Sequence, residues 1–475
     1  MGDISFKKVK LMNAEADQDR SMIDARPTKE LFISMLTRDI TLRDAIGDLL
    51  DNSVDGALVL QPKGTTERDY SGLWVNLTFS AEDDYFKIED NCGGISVEVA
   101  RDYAFRFGRP ANAPLTLGSV GYFGVGMKRA LFKLGKKFRV ESTTADSYFV
   151  MVVDVEQWAN EGGEDAGNWH FKFDEFREGE NNPEEKWGTK ITVTDLLPDV
   201  KATLELENEV NTLRNELERE HLYNIHRGLK VTLNNAELKA KALKLLVSDE
   251  FKTAYWKRED LFLRVEIYAG ISERAGIDGE GGWYVFCNDR LILGPDTTET
   301  TGWGINSPRK IPRYHTQFDR FRGYVFFEAD DPQYLPWNTT KNDLDEDSPR
   351  YKTVRQQMIL LMRSVIDFLN ALDNEREYID KGLIYEEPLQ TAIDNAKSVP
   401  LKEVSSSSVH ISLEKFLHPE PLKPQTAPTK DVVWIRYHIS NDELEAIREY
   451  FGEDIRVGEL GRKTFDYFYG REIEG

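Results

Sequence analysis

Cysteine is nearly absent from this chain, which has two among 475 residues, Cys92 and Cys287. That count excludes a disulfide framework and a cysteine-based zinc site. Cys92 lies in a turn-forming stretch and Cys287 follows an apolar run, so both read as small buried residues rather than nucleophiles. Histidine is scarce as well, and the seven present, from His170 to His438, show no metal-ligand spacing. No apolar run approaches the roughly 18 to 20 residues that cross a bilayer, so no membrane association is expected. The early lysines are not followed by an apolar core, which argues against a secretory signal. A cytoplasmic location is expected, or a nuclear one in a eukaryotic cell. Basic residues are outnumbered, 61 against 83, for a net charge of −22. Such an excess opposes non-specific adhesion to nucleic acid but leaves room for a local basic groove.

What is present is a globular composition, 40% hydrophobic and 30% charged, at a length that suggests two or three domains. Residues 41–60 are patterned as a helix, with Leu42, Ala45, Ile46, Leu49, Leu50 and Ala57 on one face. Asp48, Asn52 and Asp55 project from the other. Strand-like alternation follows at 73–79 and 85–88. A glycine-rich stretch, 118–126, leads into a helix that carries Lys128, Arg129 and Lys133. Strands at 138–141, 148–155 and 189–194 complete a first unit. A polar helical stretch, 202–227, separates it from a second α/β unit. That unit opens on a hairpin around Asn234–Asn235 and continues with strands at 261–268, 283–293 and 323–328. A long helix at 354–372, another at 389–397, a Ser- and Pro-rich stretch and a small α+β appendage follow.

Four elements carry chemistry. In the first, Asp48 and Asn52 stand four residues apart, one above the other on a helix, with Asp55 following. The Asn52 amide oxygen suits a Mg²⁺ ion that also touches phosphate oxygens, and the Asp48 carboxylate suits a water aimed at a γ-phosphate. In the second, Asp90–Asn91–Cys92–Gly93–Gly94, a strand-end carboxylate can accept from an adenine amino group while Gly94 allows close backbone approach. The third, Gly121–Tyr122–Phe123–Gly124–Val125–Gly126–Met127–Lys128, frees backbone amides to cradle phosphates at a helix start. The fourth, Gly188–Thr189, places a hydroxyl on a strand near the base pocket.

In this order the four resemble the N, G1, G2 and G3 boxes of the GHKL ATPases, which include gyrase-type topoisomerases, ninety-kilodalton heat-shock chaperones, histidine kinases, MutL and the MORC proteins. The resemblance implies an α+β chain that opens on a Bergerat ATP-binding sandwich. It implies Asn52 as the Mg²⁺ ligand, Asp90 as the adenine reader, and Thr189 in support of the base. The segment containing Gly121, Phe123, Gly124, Val125, Gly126 and Lys128 would wrap the phosphates, with Asp55 and Gly94 completing the pocket. Asp48 stands where these ATPases place a general-base glutamate, and one methylene less implies either slow hydrolysis or binding without turnover. Cys92 replaces the first glycine of its box. Phe107–Gly108–Arg109 resembles a MORC turn without its serine.

Residues 284–292, with Asn288 and Arg290, resemble the Asn-x-Arg strand of a ribosomal-S5-like transducer domain. Residues 335–343 resemble the loop that delivers a lysine, here Lys341, to the γ-phosphate. The implied organisation is an ATP-binding domain at 1–200, a transducer at 201–350, a helical region at 351–403, a linker at 404–432 and a C-terminal module at 433–475. ATP and Mg²⁺ are the implied cofactors, a homodimer formed with ATP is the implied assembly, and the closest likeness is to MORC, MutL and the chaperones. The expected function is an ATP-driven clamp acting on DNA or a partner protein encoded nearby. A chaperone-like scaffold and a nucleotide-sensing subunit of a defence or repair system are the alternatives.

Overall fold

Two β-sheets, each with its own apolar core, organise the chain. The computed structural model describes residues 27–62, 68–108, 117–121, 124–160, 169–273, 279–305, 310–338, 340–406, 410–424, 438–451, 455 and 457–473. The first sheet is built from β1 (Trp74–Ser80), β2 (Tyr85–Asp90), β3 (Gly135–Thr143), β4 (Ser147–Asp154), β5 (Glu175–Glu178), β6 (Gly188–Leu196), β7 (Lys230–Leu233) and β8 (Ala236–Glu237). Their order across the sheet is β5-β4-β3-β6-β2-β1-β7-β8. Val75, Leu77 and Phe79 alternate inward along β1, as the period of two requires. Three helices bury their apolar sides in the same core, namely α1 (Lys29–Arg38), α2 (Leu42–Val59) and α3 (Gly126–Leu134). A capping box starts α2, where the Thr41 hydroxyl accepts the Asp44 amide at 3.1 Å and the Asp44 carboxylate accepts the Thr41 amide at 3.2 Å.

The hairpin predicted around Asn234–Asn235 forms, with both asparagines at positive φ (47° and 65°), but it belongs to the first sheet and not to the second unit. β7 runs parallel to β1 in the register Val75↔Val231 and Leu77↔Leu233. Leu229, Val231, Leu233 and Leu238 complete the first core, so the boundary expected near residue 200 moves beyond this hairpin. Alternation announces a strand without saying which sheet edge receives it.

Between β6 and β7 in sequence lies α4 (Glu207–Glu220). A two-stranded sheet pairs β9 (Lys244–Val247) with β15 (Lys397–Pro400). The second large sheet has the order β13-β12-β14-β11-β10-β16. Its strands are β10 (Thr253–Glu259), β11 (Arg264–Ile271), β12 (Gly282–Cys287), β13 (Arg290–Asp296), β14 (Phe321–Glu328) and β16 (Ile411–Leu413). The long helix α5 (Pro349–Asp380) lays Val354, Met358, Leu361, Val365, Phe368 and Leu372 into its core, an alternation of three and four residues that keeps one stripe inward. Helix α6 (Pro388–Asn395) packs beside it.

The stretch expected as a linker from 404 is, in part, structural. β16 adds in parallel to β10, and Phe416 is buried between Phe251 and Phe368. A three-residue strand is too short to leave a periodic signal, and neighbouring Ser and Pro masked it. The C-terminal module is described as two helices, α7 (Asn441–Phe451) and α8 (Val457–Glu472). The strand expected near Trp434 lies outside the described residues.

Candidate functional site

Helix α2 buries carboxylates as well as leucines. Asp48 is 2% exposed and Asp51 is fully buried, so this acidic face is not a solvated one. Isolated buried charges cost several kcal/mol each, and three cations answer them. Arg129, on the first turn of α3, places Nε at 2.8 Å and Nη2 at 2.7 Å from Asp48 Oδ2. Lys341 Nζ lies 3.3 Å from Asp48 Oδ1 and 2.7 Å from Asp51 Oδ2. Arg290, at the start of β13, donates to Asp51 Oδ1 and, at 3.1 Å, to Glu220. Burial alone would raise the Asp51 carboxyl, but Arg290 and Lys341 hold it well below the usual carboxylate range. Burial outweighs Arg290 at Glu220, which is pushed up to about 7. The same burial brings His221 down to about 3, leaving a neutral ring 3.8 Å from Asp51. Asn52 Nδ2 donates to the Asp48 carbonyl at 2.9 Å, which uses the donor side of the amide and leaves its oxygen as the group to meet a cation.

At the end of β2, Asp90 is held on both oxygens. Oδ2 accepts the Ser53 hydroxyl at 2.7 Å, and Oδ1 accepts the amides of Cys92 at 2.9 Å and Thr189 at 3.2 Å. Burial raises its carboxyl above the ordinary value, those hydrogen bonds opposing. The turn that follows needs its glycines. Gly94 has φ 74°, and a Cβ there would stand 2.1 Å from the Thr143 carbonyl oxygen. The Thr189 hydroxyl meets the Ser142 hydroxyl at 2.9 Å, and Ser142 in turn accepts the Ile95 amide at 2.7 Å. Both cysteines are buried, and burial pushes both thiols up, as inert core residues should behave.

The glycine segment is pinned from two sides. Asp55 accepts the Val120 and Gly121 amides, each at 2.7 Å. From the second unit, the Asp330 carbonyl accepts the Gly118 amide at 2.9 Å, and Asn288 Nδ2 donates to the Ser119 carbonyl at 3.0 Å. The Val120 side chain lies in the second core. Asp55, predicted to contact the nucleotide, uses its carboxylate on this loop backbone, and burial lifts it to about 6. Gly126 then opens α3 where a Cβ would come within 3.2 Å of the Asp48 carboxylate. Lys128 donates to the Ala104 carbonyl at 2.7 Å, and burial lowers it to about 7.

These parts enclose a cavity of about 560 Å³. α2 contributes Asp48, Asn52 and Asp55, and the strand ends contribute Asp90, Gly94 and Thr189. The glycine segment contributes Gly121, Gly124, Val125, Gly126 and Lys128, and the second unit contributes Lys341. Phe123 lies outside the described residues. Leu49, Ile88, Met127 and Ile191 make part of the wall apolar, as a base requires, and the glycine segment with Lys128, Arg129 and Lys341 lines it as well, as phosphates require. The residues present therefore fit a purine nucleotide. Sequence reading assigned no role here to Asp51, Ser142, Arg129 or Arg290. The last two stood in recognised stretches, but only the pairing across 81 and 239 residues reveals what they hold.

The comparisons with known proteins agree with this geometry. Residues 40–179 match the family model described as histidine kinase-, DNA gyrase B-, and HSP90-like ATPase. No curated protein matches the chain. The matched stretch runs from the start of α2 to β5 and contains Asp48, Asn52, Asp90 and the glycine segment. Residues 40–179 are thus similar to the ATP-binding domain of the GHKL-type ATPases.

Proposed function

We propose that this protein is an ATP-operated clamp that binds Mg·ATP, hydrolyses it slowly and pairs with a second copy while nucleotide is bound. The observation that carries the reading is Lys341. It comes from a loop of the second unit, yet its ammonium lies inside the cavity of the first, between Asp48 and Asp51. A cation placed there answers to a γ-phosphate and couples the nucleotide to the second sheet, which on this reading is the transducer.

Each residue has a part in that cycle. Asp90 accepts from the adenine amino group while Thr189 and Ser142 hold the wall beside it. Asn52 would hold Mg²⁺ through its amide oxygen, and the ion would supply positive charge against the phosphates. The amides at Gly121, Gly124 and Gly126 take the phosphates at the head of α3. Asp48 orients the attacking water, and its short side chain makes turnover slow.

DNA, or a protein bound to it, is what the likeness to MORC and MutL suggests is clamped. The surface favours a protein. Lys136, Lys137 and Arg139 each pair with carboxylates, Glu156, Asp154 with Asp195, and Glu141 respectively. The test is the solution mass by light scattering, with and without a non-hydrolysable ATP analogue and Mg²⁺. A doubling of mass is the expected result. A mass indifferent to nucleotide overturns the clamp and favours a sensor or scaffold.

A further inference from the structure

The general-base position of this site holds an aspartate, and beside it stands an arginine that forks onto one of its oxygens. Arg129 Nε and Nη2 lie 2.8 and 2.7 Å from Asp48 Oδ2. Both side chains are buried, and both line the cavity. Asp48 Oδ1 faces a different cation, Lys341 Nζ, at 3.3 Å. The carboxylate is thus divided, one oxygen fixed by a rigid helical neighbour and the other by a loop of the second unit. Gly126 makes the arrangement possible, since a Cβ there would stand 3.2 Å from the same carboxylate.

We infer that Arg129 is a positioning residue for Asp48, holding Oδ2 so that Oδ1 alone is presented to the attacking water. The inference rests on the ATP-hydrolysis reading above. When Lys341 moves onto the γ-phosphate, Oδ1 is uncovered while Oδ2 stays bound to Arg129. Water oxygen then bonds to the γ-phosphorus as the bond from phosphorus to the ADP oxygen breaks, and the proton of the water passes to Oδ1. A shorter carboxylate has less reach than a glutamate and depends more on being held at one angle. The planar fork of arginine supplies that angle, which a lysine ammonium, a point charge on a flexible stem, does not.

The experiment measures steady-state turnover and binding of a non-hydrolysable ATP analogue for the full chain, Arg129→Met and Arg129→Lys. Misplacement of a reacting group by about 1 Å costs on the order of 100-fold in rate. Arg129→Met is therefore expected to lose about 100-fold in kcat, and Arg129→Lys about 10-fold, with analogue affinity within about threefold of the parent in both. If the methionine variant does not fold, the lysine variant decides, because it keeps a cation beside Asp48. Unchanged kcat in a folded variant overturns the positioning role alone. A loss of analogue affinity that matches the loss of kcat also overturns it, by making Arg129 a phosphate ligand. A parent with no turnover above Asp48→Ala overturns the hydrolysis reading itself, and the positioning role with it.

Discussion

Lys341 and Asp51, separated by 290 residues in the chain, meet at 2.7 Å between Nζ and Oδ2 in the protein interior. Lys341 reaches this point from a tight loop with its own backbone at φ 57°, where Asn338, Thr340 and Asn342 hydrogen-bond to one another.

Replacing Lys341 with methionine removes one of the two cations on Asp51 and leaves Arg290 on the other oxygen. Removing one partner of a buried pair costs about 3 to 5 kcal/mol, and the surviving arginine reduces that here to on the order of 1 to 3 kcal/mol. Urea denaturation of Lys341→Met should show this loss. A midpoint equal to that of the parent contradicts the buried network.

Asp48→Ala separates binding from chemistry. The proposal predicts that this variant retains the analogue within a few-fold affinity and releases no phosphate above background. Measured turnover at the parental rate would assign the base elsewhere.

Lys128 predicts a proton uptake. Burial lowers its ammonium to about 7 from the ordinary 10.5, so above neutral pH the nucleotide-free site holds it largely uncharged. Phosphates arriving at the cavity favour the charged form and draw a proton from buffer. Titration calorimetry at pH 8 in buffers of different ionisation enthalpy should show that uptake for the parent, and less of it for Lys128→Met. Equal uptake by both would show that Lys128 does not meet the phosphates.

Glu220 predicts a dependence of stability on pH. Its folded value, about 7, lies above the ordinary 4.5, so the folded chain binds the extra proton between those values. The resulting stabilisation is complete below about 4.5 and is lost as the pH rises through 7. Glu220→Gln should therefore gain on the parent across that window, by on the order of 2 kcal/mol. His221 works in the opposite sense, with a folded value near 3, so the difference between variant and parent is the quantity to measure. A constant difference from pH 4.5 to 7.5 contradicts the assignment.

The legible part of this site is its local part. Asp48 and Asn52 one turn apart, the Gly93–Gly94 turn and the start of α3 are each written within a few residues, and all three line one cavity. Side-chain pairing across the fold left no such trace. Arg129 read as one member of a basic stretch until α3 packed against α2 and brought it to Asp48. Asp55 lines the cavity, but that its carboxylate accepts the amides of Val120 and Gly121 was not legible from its place on the helix. β7 was visible as a strand from its alternation, whereas the choice of β1 as its neighbour depends on which sheet edge had apolar surface to cover.

The most direct test of the nucleotide pocket is a calorimetric titration of a non-hydrolysable ATP analogue with Mg²⁺ into the parent and into Asn52→Ala. Asn52 lines the cavity with its amide nitrogen already bonded to Asp48, so the alanine variant removes the oxygen proposed to meet Mg²⁺ with little change to the helix. The account predicts one site per chain in the parent and no measurable Mg²⁺-dependent binding in the variant. Tight Mg²⁺-dependent binding by Asn52→Ala, or none by the parent, would contradict it.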